Sequence, residues 1–293
     1  MGPNPAPGAP ISVREALEAG ASRLAAAGVP SPEADVERLL RHVLDWDRAR
    51  LLADDGSALP SPAAASLRAL VAERARRRPL QHLTGAQEFW RHAFLVTPDV
   101  LIPRPETEIL VEAALEALRG ARAPRVADVG TGSGCIALSL AAEKPDAEVY
   151  ALDISEPALG VARENARRLG LEGRVDFRAG DLLEPLGADE VPIDLVASNP
   201  PYVDPTEREH LPPEVRDYEP AVALIAPGGR FAVYRRLVPA AASALKPGGF
   251  LVLEIGLGMD GEVALLCEAG GFAVERVVPD LQGIPRVVIA RRG

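Results

Sequence analysis

Apolar positions recur at helical spacing through the first quarter of the chain and at strand spacing after it. Ser12 has Glu15 three positions on, the arrangement of a capping box, and Val13, Leu17 and Leu24 follow at helical intervals. Gly28-Val29-Pro30 ends that helix, and Ser31 opens a second one carrying Val36, Leu39, Leu40, Val43 and Leu44. A third is predicted over residues 61–77, stopped by Pro79. No alternating pattern interrupts this stretch, so residues 12–84 are expected to form a small helical domain.

The next residues change character. Phe89, Trp90, Phe94, Leu95 and Val96 are aromatic or extended types, punctuated by Pro98, Pro103 and Pro105, which predicts a linker with a short hairpin over 85–108. From residue 109 to 293, strand-like and helix-like runs alternate. Strands are predicted at 125–129, 148–153, 175–178, 193–198, 250–255, 272–278 and 286–290, with helices at 135–142, 157–169, 231–245 and 259–269 between them. This is the signature of an α/β fold: a seven-stranded, mostly parallel sheet with helices on both faces, beside the small N-terminal helical domain. The short connection 279–285 leaves no room for a crossover helix, so the last two strands should pair antiparallel.

Composition alters this picture only at its margins. Of 293 residues, 47% are hydrophobic and 25% charged, ordinary for a globular chain. The net charge of -10 argues against a protein whose main task is gripping phosphate backbones, so no direct nucleic-acid partner is expected. Cys135 and Cys267 lie far apart without C-x-x-C spacing, and His42, His82, His92 and His210 are scattered, so neither a disulfide framework nor a metal site is predicted. No apolar run approaches the roughly 18–20 residues needed to cross a bilayer. The opening MGPNPAPGAP lacks the basic start and apolar stretch of a secretory signal, and residues 1–11 read as a disordered tail. A monomer in the cytoplasm is the expectation, with no membrane partner.

Candidate chemistry gathers at the predicted strand ends. The strand at 125–129 runs into Gly130-Thr131-Gly132-Ser133-Gly134 and then a helix, and glycines there let the backbone turn sharply and approach a ligand closely. The dinucleotide fingerprint would need glycine where Cys135 stands. The G-x-G-x-G spacing resembles instead the first motif of class I methyltransferases, whose cofactor has no pyrophosphate to seat. Asp153 ends the next strand, where a carboxylate can accept from both ribose hydroxyls. Asp181 and Leu182 follow the third, where related enzymes hold adenine.

Asn199-Pro200-Pro201-Tyr202 follows the apolar strand at 193–198. The two prolines remove two N–H donors and stiffen the backbone, leaving carbonyl oxygens to accept from outside. The Asn199 side-chain oxygen and the Pro200 carbonyl can each accept one N–H of a planar NH₂ group, and Tyr202 can stack on its plane. Such a segment suits methylation of a delocalised amino group. It does not by itself separate a glutamine amide from adenine, cytosine or guanine.

Further residues carry a resemblance. Pro79-Leu80-Gln81-His82-Leu83-Thr84-Gly85, Phe89-Trp90, Leu101-Ile102-Pro103-Arg104-Pro105-Glu106-Thr107-Glu108, the Asn199–Tyr202 segment and Gly283-Ile284-Pro285-Arg286-Val287-Val288 together resemble the HemK/PrmC family of release factor glutamine methyltransferases. The resemblance runs from about residue 12 to 291. It implies a class I methyltransferase (Rossmann-like) catalytic domain, S-adenosyl-L-methionine as cofactor with S-adenosyl-L-homocysteine as product, and substrate recognition by the helical domain. The implied reaction methylates the side-chain amide of the glutamine in the Gly-Gly-Gln tripeptide of class I peptide chain release factors. Gly130, Thr131, Gly132, Ser133, Gly134, Asp153, Asp181, Leu182 and Asn199 would face the cofactor. Asn199, Pro200, Pro201 and Tyr202 would hold the substrate, with Asn199, Pro200 and Tyr202 the catalytic set. Some members have an aromatic residue on adenine where this chain has Leu182. A ribosomal-protein glutamine or a nucleic-acid amino group is the alternative acceptor for the same clamp.

Three features stay open at this level. Residues 203–229 show no convincing regular element and read as a substrate-binding loop or a disordered insertion. The basic run 74–78 reads as a solvated helix end or as contact with an acidic partner. Arg104 and Glu106 either gate the cofactor pocket or pair with each other.

Overall fold

A computed structural model of the chain describes residues 11–293. The predicted tail falls on residues 1–10, outside the described residues, except at its end. Ile11 packs on the helical core and its carbonyl accepts from the Leu59 N–H at 2.8 Å, so this residue belongs with the helical unit. By its packing the chain divides into two units, one running to Gly85 and including Pro213–Tyr218, the other comprising Ala86–Pro212 and Glu219–Gly293.

The first unit is helical: α1 (Val13–Ala26), α2 (Pro32–Leu44), α3 (Arg48–Ala53), α4 (Ser61–Ala75) and α5 (Leu80–Thr84). The capping box at Ser12 and Glu15 closes as the spacing predicts. Val13, Leu24, Val36, Leu39 and Leu40 are fully buried and form the core with Leu67 and Val71. Neither reading of the basic run describes Arg74, which is buried at the end of α4. It bonds Asp35 at 2.7 Å and Glu214 at 3.0 Å, while Arg77 holds Glu214 with two bonds of 2.7 Å. A buried guanidinium needs paired acids, and both acids come from distant sequence.

The second unit begins with the hairpin β1 (Ala86–Phe89) and β2 (His92–Leu95), then α6 (Thr107–Ala117). There follow β3 (Arg125–Val129), α7 (Cys135–Glu143), β4 (Glu148–Asp153), α8 (Glu156–Arg168), β5 (Val175–Ala179) and β6 (Ile193–Ser198). Residues 203–229 are not structureless. They hold a 3₁₀ turn at Pro205–His210 and two short helices, α9 (Pro213–Tyr218) and α10 (Ala221–Leu224). Each starts at or just after a proline whose fixed φ suits a first helical turn, and each is too short to show a periodic pattern. The chain closes with α11 (Ala232–Ala244), β7 (Leu245–Glu254), α12 (Asp260–Ala269), β8 (Phe272–Pro279) and β9 (Pro285–Arg292).

The seven-stranded sheet has the order β5-β4-β3-β6-β7-β9-β8. β3 to β7 run parallel, and β9 pairs antiparallel with both β7 and β8, as the short connection between the last strands requires. Side chains alternate between two cores. Val126, Leu195, Ala197 and Val252 face α6 and α7, whereas Ala127, Val129, Val196, Leu251 and Leu253 face α11 and α12. The register sets Val129 beside Leu152 and Ser198, and Ser198 beside Leu253. Gly130, Asp153, Asn199 and Glu254 therefore emerge at one level along the carboxyl edge.

Candidate active site

The chain steps outward from β3 through β4 to β5, then returns to β6 on the other side of β3. Strand order reverses there, and open α/β sheets bind ligands outside the carboxyl ends of the strands at such a point. A cavity of about 260 Å³ opens at this place, entirely within the second unit. Gly130, Thr131, Gly132, Ser133, Asp153, Asp181, Leu182, Asn199, Pro200 and Pro201 all line it. Gly134 and Tyr202 are not in the lining. Gly134 caps α7 with φ of 82°, and a Cβ there would come 3.0 Å from Leu138 and 3.1 Å from Ala162, so its glycine serves helix packing. The Tyr202 ring lies against Gly256, where an added Cβ would meet it at 3.0 Å.

The turn after β3 is anchored from below. Asp128 is fully buried, and its Oδ2 accepts from the Thr131 hydroxyl at 2.6 Å and the Ala137 N–H at 3.1 Å. Burial pushes the Asp128 carboxyl up to about 7, against the pull of those two donors. The glycine turn and the first turn of α7 are thus tied to one oxygen. Cys135 packs beside them, buried, its thiol pushed up to about 12 by the loss of solvent.

Asp153 accepts from the Gly132 N–H at 2.8 Å and the Ser155 N–H at 2.9 Å, one on each oxygen. Burial raises its pKa and these backbone donors oppose the rise. Each oxygen keeps a further lone pair for a ribose diol. A Cβ built on Gly130 or Gly132 would meet no protein atom within 4 Å, so the space over the turn is left to a ligand. These residues fit a nucleoside cofactor. Beyond β5, Asp181 forms an ion pair with Arg236, which also lines the cavity, and Leu182 offers apolar contact from a left-handed backbone at φ of 51°.

On the opposite wall, the Ser198 hydroxyl donates to the Val129 carbonyl at 2.7 Å and ties the tip of β6 to β3. The Asn199 amide nitrogen donates to the Thr107 hydroxyl at 3.3 Å. Behind Thr107 lies Glu254, almost completely buried, with its carboxyl pushed up to about 7 by burial. Arg104 lines the cavity and pairs at 2.6 Å with Glu219 rather than with Glu106. Glu219 also accepts from the Ile102 N–H at 3.1 Å.

Asp128, Thr107, Glu254, Glu219 and Arg236 escaped the sequence reading. For two of them a signal existed. Asp128 and Glu254 each sit in an otherwise apolar strand run, where an acid needs a reason. Thr107, Glu219 and Arg236 matter only through partners distant in sequence.

Two family models match the chain: the PrmC N-terminal domain over residues 15–85 and the methyltransferase small domain over residues 105–217. A release factor glutamine methyltransferase of Cereibacter sphaeroides is 45% identical over 277 residues, spanning 94% of this chain and 97% of its own length. One from Moorella thermoacetica is 45% identical over 283 residues, spanning 96% and 99%. A solved release factor-specific protein-(glutamine-N5) methyltransferase from Alicyclobacillus acidocaldarius is 35% identical, covering 68% of this chain and 99% of its own, with a TM-score of 0.41. Near-complete coverage at this identity leaves one conclusion: the chain belongs to the release factor glutamine methyltransferase family and is an S-adenosylmethionine-dependent methyltransferase.

Proposed function

We propose that the chain methylates the side-chain amide nitrogen of the glutamine in the Gly-Gly-Gln tripeptide of class I peptide chain release factors. The observation that carries this reading is that Asn199 and Pro200 line the same cavity as the glycine turn and Asp153. An acceptor pair for an NH₂ group therefore faces a nucleoside site.

An amide nitrogen is a poor nucleophile because its lone pair is delocalised into the carbonyl. The Asn199 Oδ1 and the Pro200 carbonyl oxygen each accept one N–H of the target, which holds both protons and turns the lone pair toward the cofactor. Bound S-adenosylmethionine supplies an electrophilic methyl carbon on a sulfonium. As the nitrogen becomes positive, the two carbonyl dipoles stabilise it, each by on the order of a few kcal/mol. The N-protonated product is strongly acidic and releases its proton to water without a dedicated base. Pro201 in the wall and Tyr202 behind it complete the clamp.

Gly130, Thr131, Gly132 and Ser133 cradle the cofactor, Asp153 takes its ribose, and Asp181 with Leu182 borders the adenine. Gly134 supports that cradle by letting α7 pack. The helical domain of residues 12–84 recognises the release factor, and the enzyme acts as a cytoplasmic monomer without binding nucleic acid directly.

Mass spectrometry of the tryptic peptide carrying the Gly-Gly-Gln glutamine tests the reading, after incubation of a release factor with the purified enzyme and S-adenosylmethionine. A gain of one methyl on that glutamine is expected. No gain beside an active control enzyme defeats the substrate assignment, and methyl incorporation into ribosomal protein or total RNA instead would name the replacement.

A further inference from the structure

Helix α8 buries one amide among hydrocarbon, and no step of the proposed reaction uses it. Of the residues that α8 buries, Ala158, Leu159, Val161, Ala162 and Ala166 are apolar and Asn165 is not. Asn165 is fully buried, and main-chain groups engage its oxygen and both its amide hydrogens. Its Oδ1 accepts from the Leu95 N–H at 2.7 Å. Its Nδ2 donates to the Leu95 carbonyl at 3.0 Å and to the Ser133 carbonyl at 2.9 Å. Leu95 is the last residue of β2, and Ser133 lies in the glycine turn. Beyond Leu95 the linker stays on the same helix, with Val96 and Val100 buried against Ala158 and Val161. Both segments go on to line the cavity, the linker with Asp99, Leu101, Pro103 and Arg104, the turn with Gly130 to Ser133. Asn165 and Leu95 are not in that lining.

We propose that Asn165 is a positioning residue for the cofactor, setting the spacing between the linker and the glycine turn where both line the cavity. This rests on the reading of that turn as the cofactor cradle. Ser133 stands between Gly132 and Gly134, whose φ angles are 55° and 82°. Glycine enters such a conformation freely and leaves it as freely, so the turn has to be held from outside. Its leading end is held by β4 and β3. The Gly130 and Thr131 N–H groups donate to the Leu152 carbonyl at 2.8 and 3.0 Å, and the Thr131 hydroxyl donates to Asp128. At its trailing end the Ser133 carbonyl accepts from Asn165, which keeps that carbonyl turned into the protein. The same amide grips Leu95 at both its N–H and its carbonyl, as a neighbouring strand would. Turn and linker are therefore referred to one rigid planar group. Without it, one N–H and two carbonyls lose a buried partner, and both segments gain by moving to find another. Such a move changes the shape of the cofactor space, so affinity for the cofactor is what it costs.

The test uses the full-length enzyme. Asn165→Leu, which keeps the branched outline and removes all three bonds, should weaken S-adenosylhomocysteine binding by roughly 10- to 100-fold in calorimetry. The kcat at saturating S-adenosylmethionine should fall far less, so the loss appears in KM for the cofactor. Asn165→Asp keeps an acceptor for the Leu95 N–H and should fall between N165L and the parent. A residue that only supports the fold lowers Tm without producing this split, so binding is measured well below the Tm of each variant. Hydrogen exchange in the parent reads the connection even if N165L does not fold. S-adenosylhomocysteine at about 100 times its Kd should slow exchange of the Leu95 N–H by about tenfold or more. Amides of β8 and β9, at the far edge of the sheet, should slow less. Parental affinity in N165L, equal losses in kcat and affinity, or Leu95 exchange indifferent to the ligand overturns the proposal. Asp153→Ala is measured alongside. Parental affinity in D153A removes the cradle reading and this proposal with it, whereas weak binding by D153A beside parental binding by N165L removes the positioning role alone.

Discussion

Two carboxyl groups lie buried on the same face of the sheet, on the strands that flank β6, and their surroundings differ. Asp128 on β3 binds a hydroxyl of the glycine turn and a backbone N–H of α7. Glu254 on β7 leaves its strand beside Asn199, and its Oε2 is buried without a hydrogen-bond partner. On the proposed reading, the cofactor half of the cavity is built largely from main chain tied to one acid. On the same reading the methyl-acceptor half depends on side chains, with the Asn199 amide nitrogen donating to the Thr107 hydroxyl. Main-chain geometry tolerates exchange of a single side chain better than a side-chain relay does, so binding and turnover should separate under mutation.

The sharpest way to break that contrast is Asn199→Ala. Losing one of the two carbonyl dipoles should lower kcat by on the order of 10³-fold. S-adenosylmethionine affinity should fall by no more than about fivefold, because the glycine turn and Asp153 remain. Single-turnover methylation and calorimetry on the same preparation read both numbers. An equal loss in each would mean that the two halves are one site.

Next in size is the effect of pH on stability at Glu254. Its folded pKa is raised from 4.5 to about 7, with burial the largest cause, aided by Glu106 and opposed by the nearby Thr107 hydroxyl, Arg286 and Arg104. The folded state therefore holds this proton while the unfolded chain gives it up. The associated stability is fully present below pH 4.5 and is lost as pH rises through about 7. The shift corresponds to about 3 kcal/mol. Glu254→Gln does not titrate, so the parent should lose stability relative to E254Q between pH 5 and pH 8 in urea unfolding. Asp128 titrates with the same sign in both proteins and cancels. Parallel stability curves would show that the acid is hydrated in solution.

The same contrast explains what could be read from sequence. All seven sheet strands announce themselves by apolar runs, and the glycine turn, Asp153 and Asn199 by their place at strand ends, because these features are local. Asp128 and Glu254 carried half a signal, acids inside apolar runs, but what they hold cannot be inferred without the fold. Thr107 opens a helix directly after the prolines at 98, 103 and 105, and the Asn199 amide that donates to it lies far along the chain. Arg74 misled for the same reason: an arginine run looks solvated until Asp35 and Glu214 are found beside one member of it. The helices within 203–229 were invisible because one turn of helix carries no period.

Asp153→Ala probes the cofactor half alone. It removes a carboxylate proposed to accept two ribose hydroxyls, each such bond to a charged group contributing roughly 1.5–3 kcal/mol. Affinity for S-adenosylhomocysteine should fall by about 100-fold or more, while kcat at saturating cofactor changes far less. The mutant also loses the acceptor for the Gly132 and Ser155 N–H groups, so Asp153→Asn, which keeps one acceptor oxygen, should fall between it and the parent. Identical affinities in all three would remove Asp153 from the cofactor site.

The smallest expected effect lies at Arg236, and it decides what Asp181 does. The two form an ion pair whose side chains are 57% and 31% exposed, a setting in which such pairs contribute about 0–1 kcal/mol. If Asp181 accepts the adenine amino group, Arg236 only steadies it. Arg236→Ala should then change S-adenosylhomocysteine affinity by less than about threefold, while Asp181→Ala costs about tenfold or more through a lost bond to a charged acceptor. Competition with S-inosylhomocysteine sharpens the comparison, since that analogue puts a carbonyl acceptor where adenine has its amino donor and should bind the parent no better than D181A. Should R236A weaken binding as much as D181A does, the guanidinium is itself part of the adenine site, and this edge of the cofactor half is aimed by side chains after all.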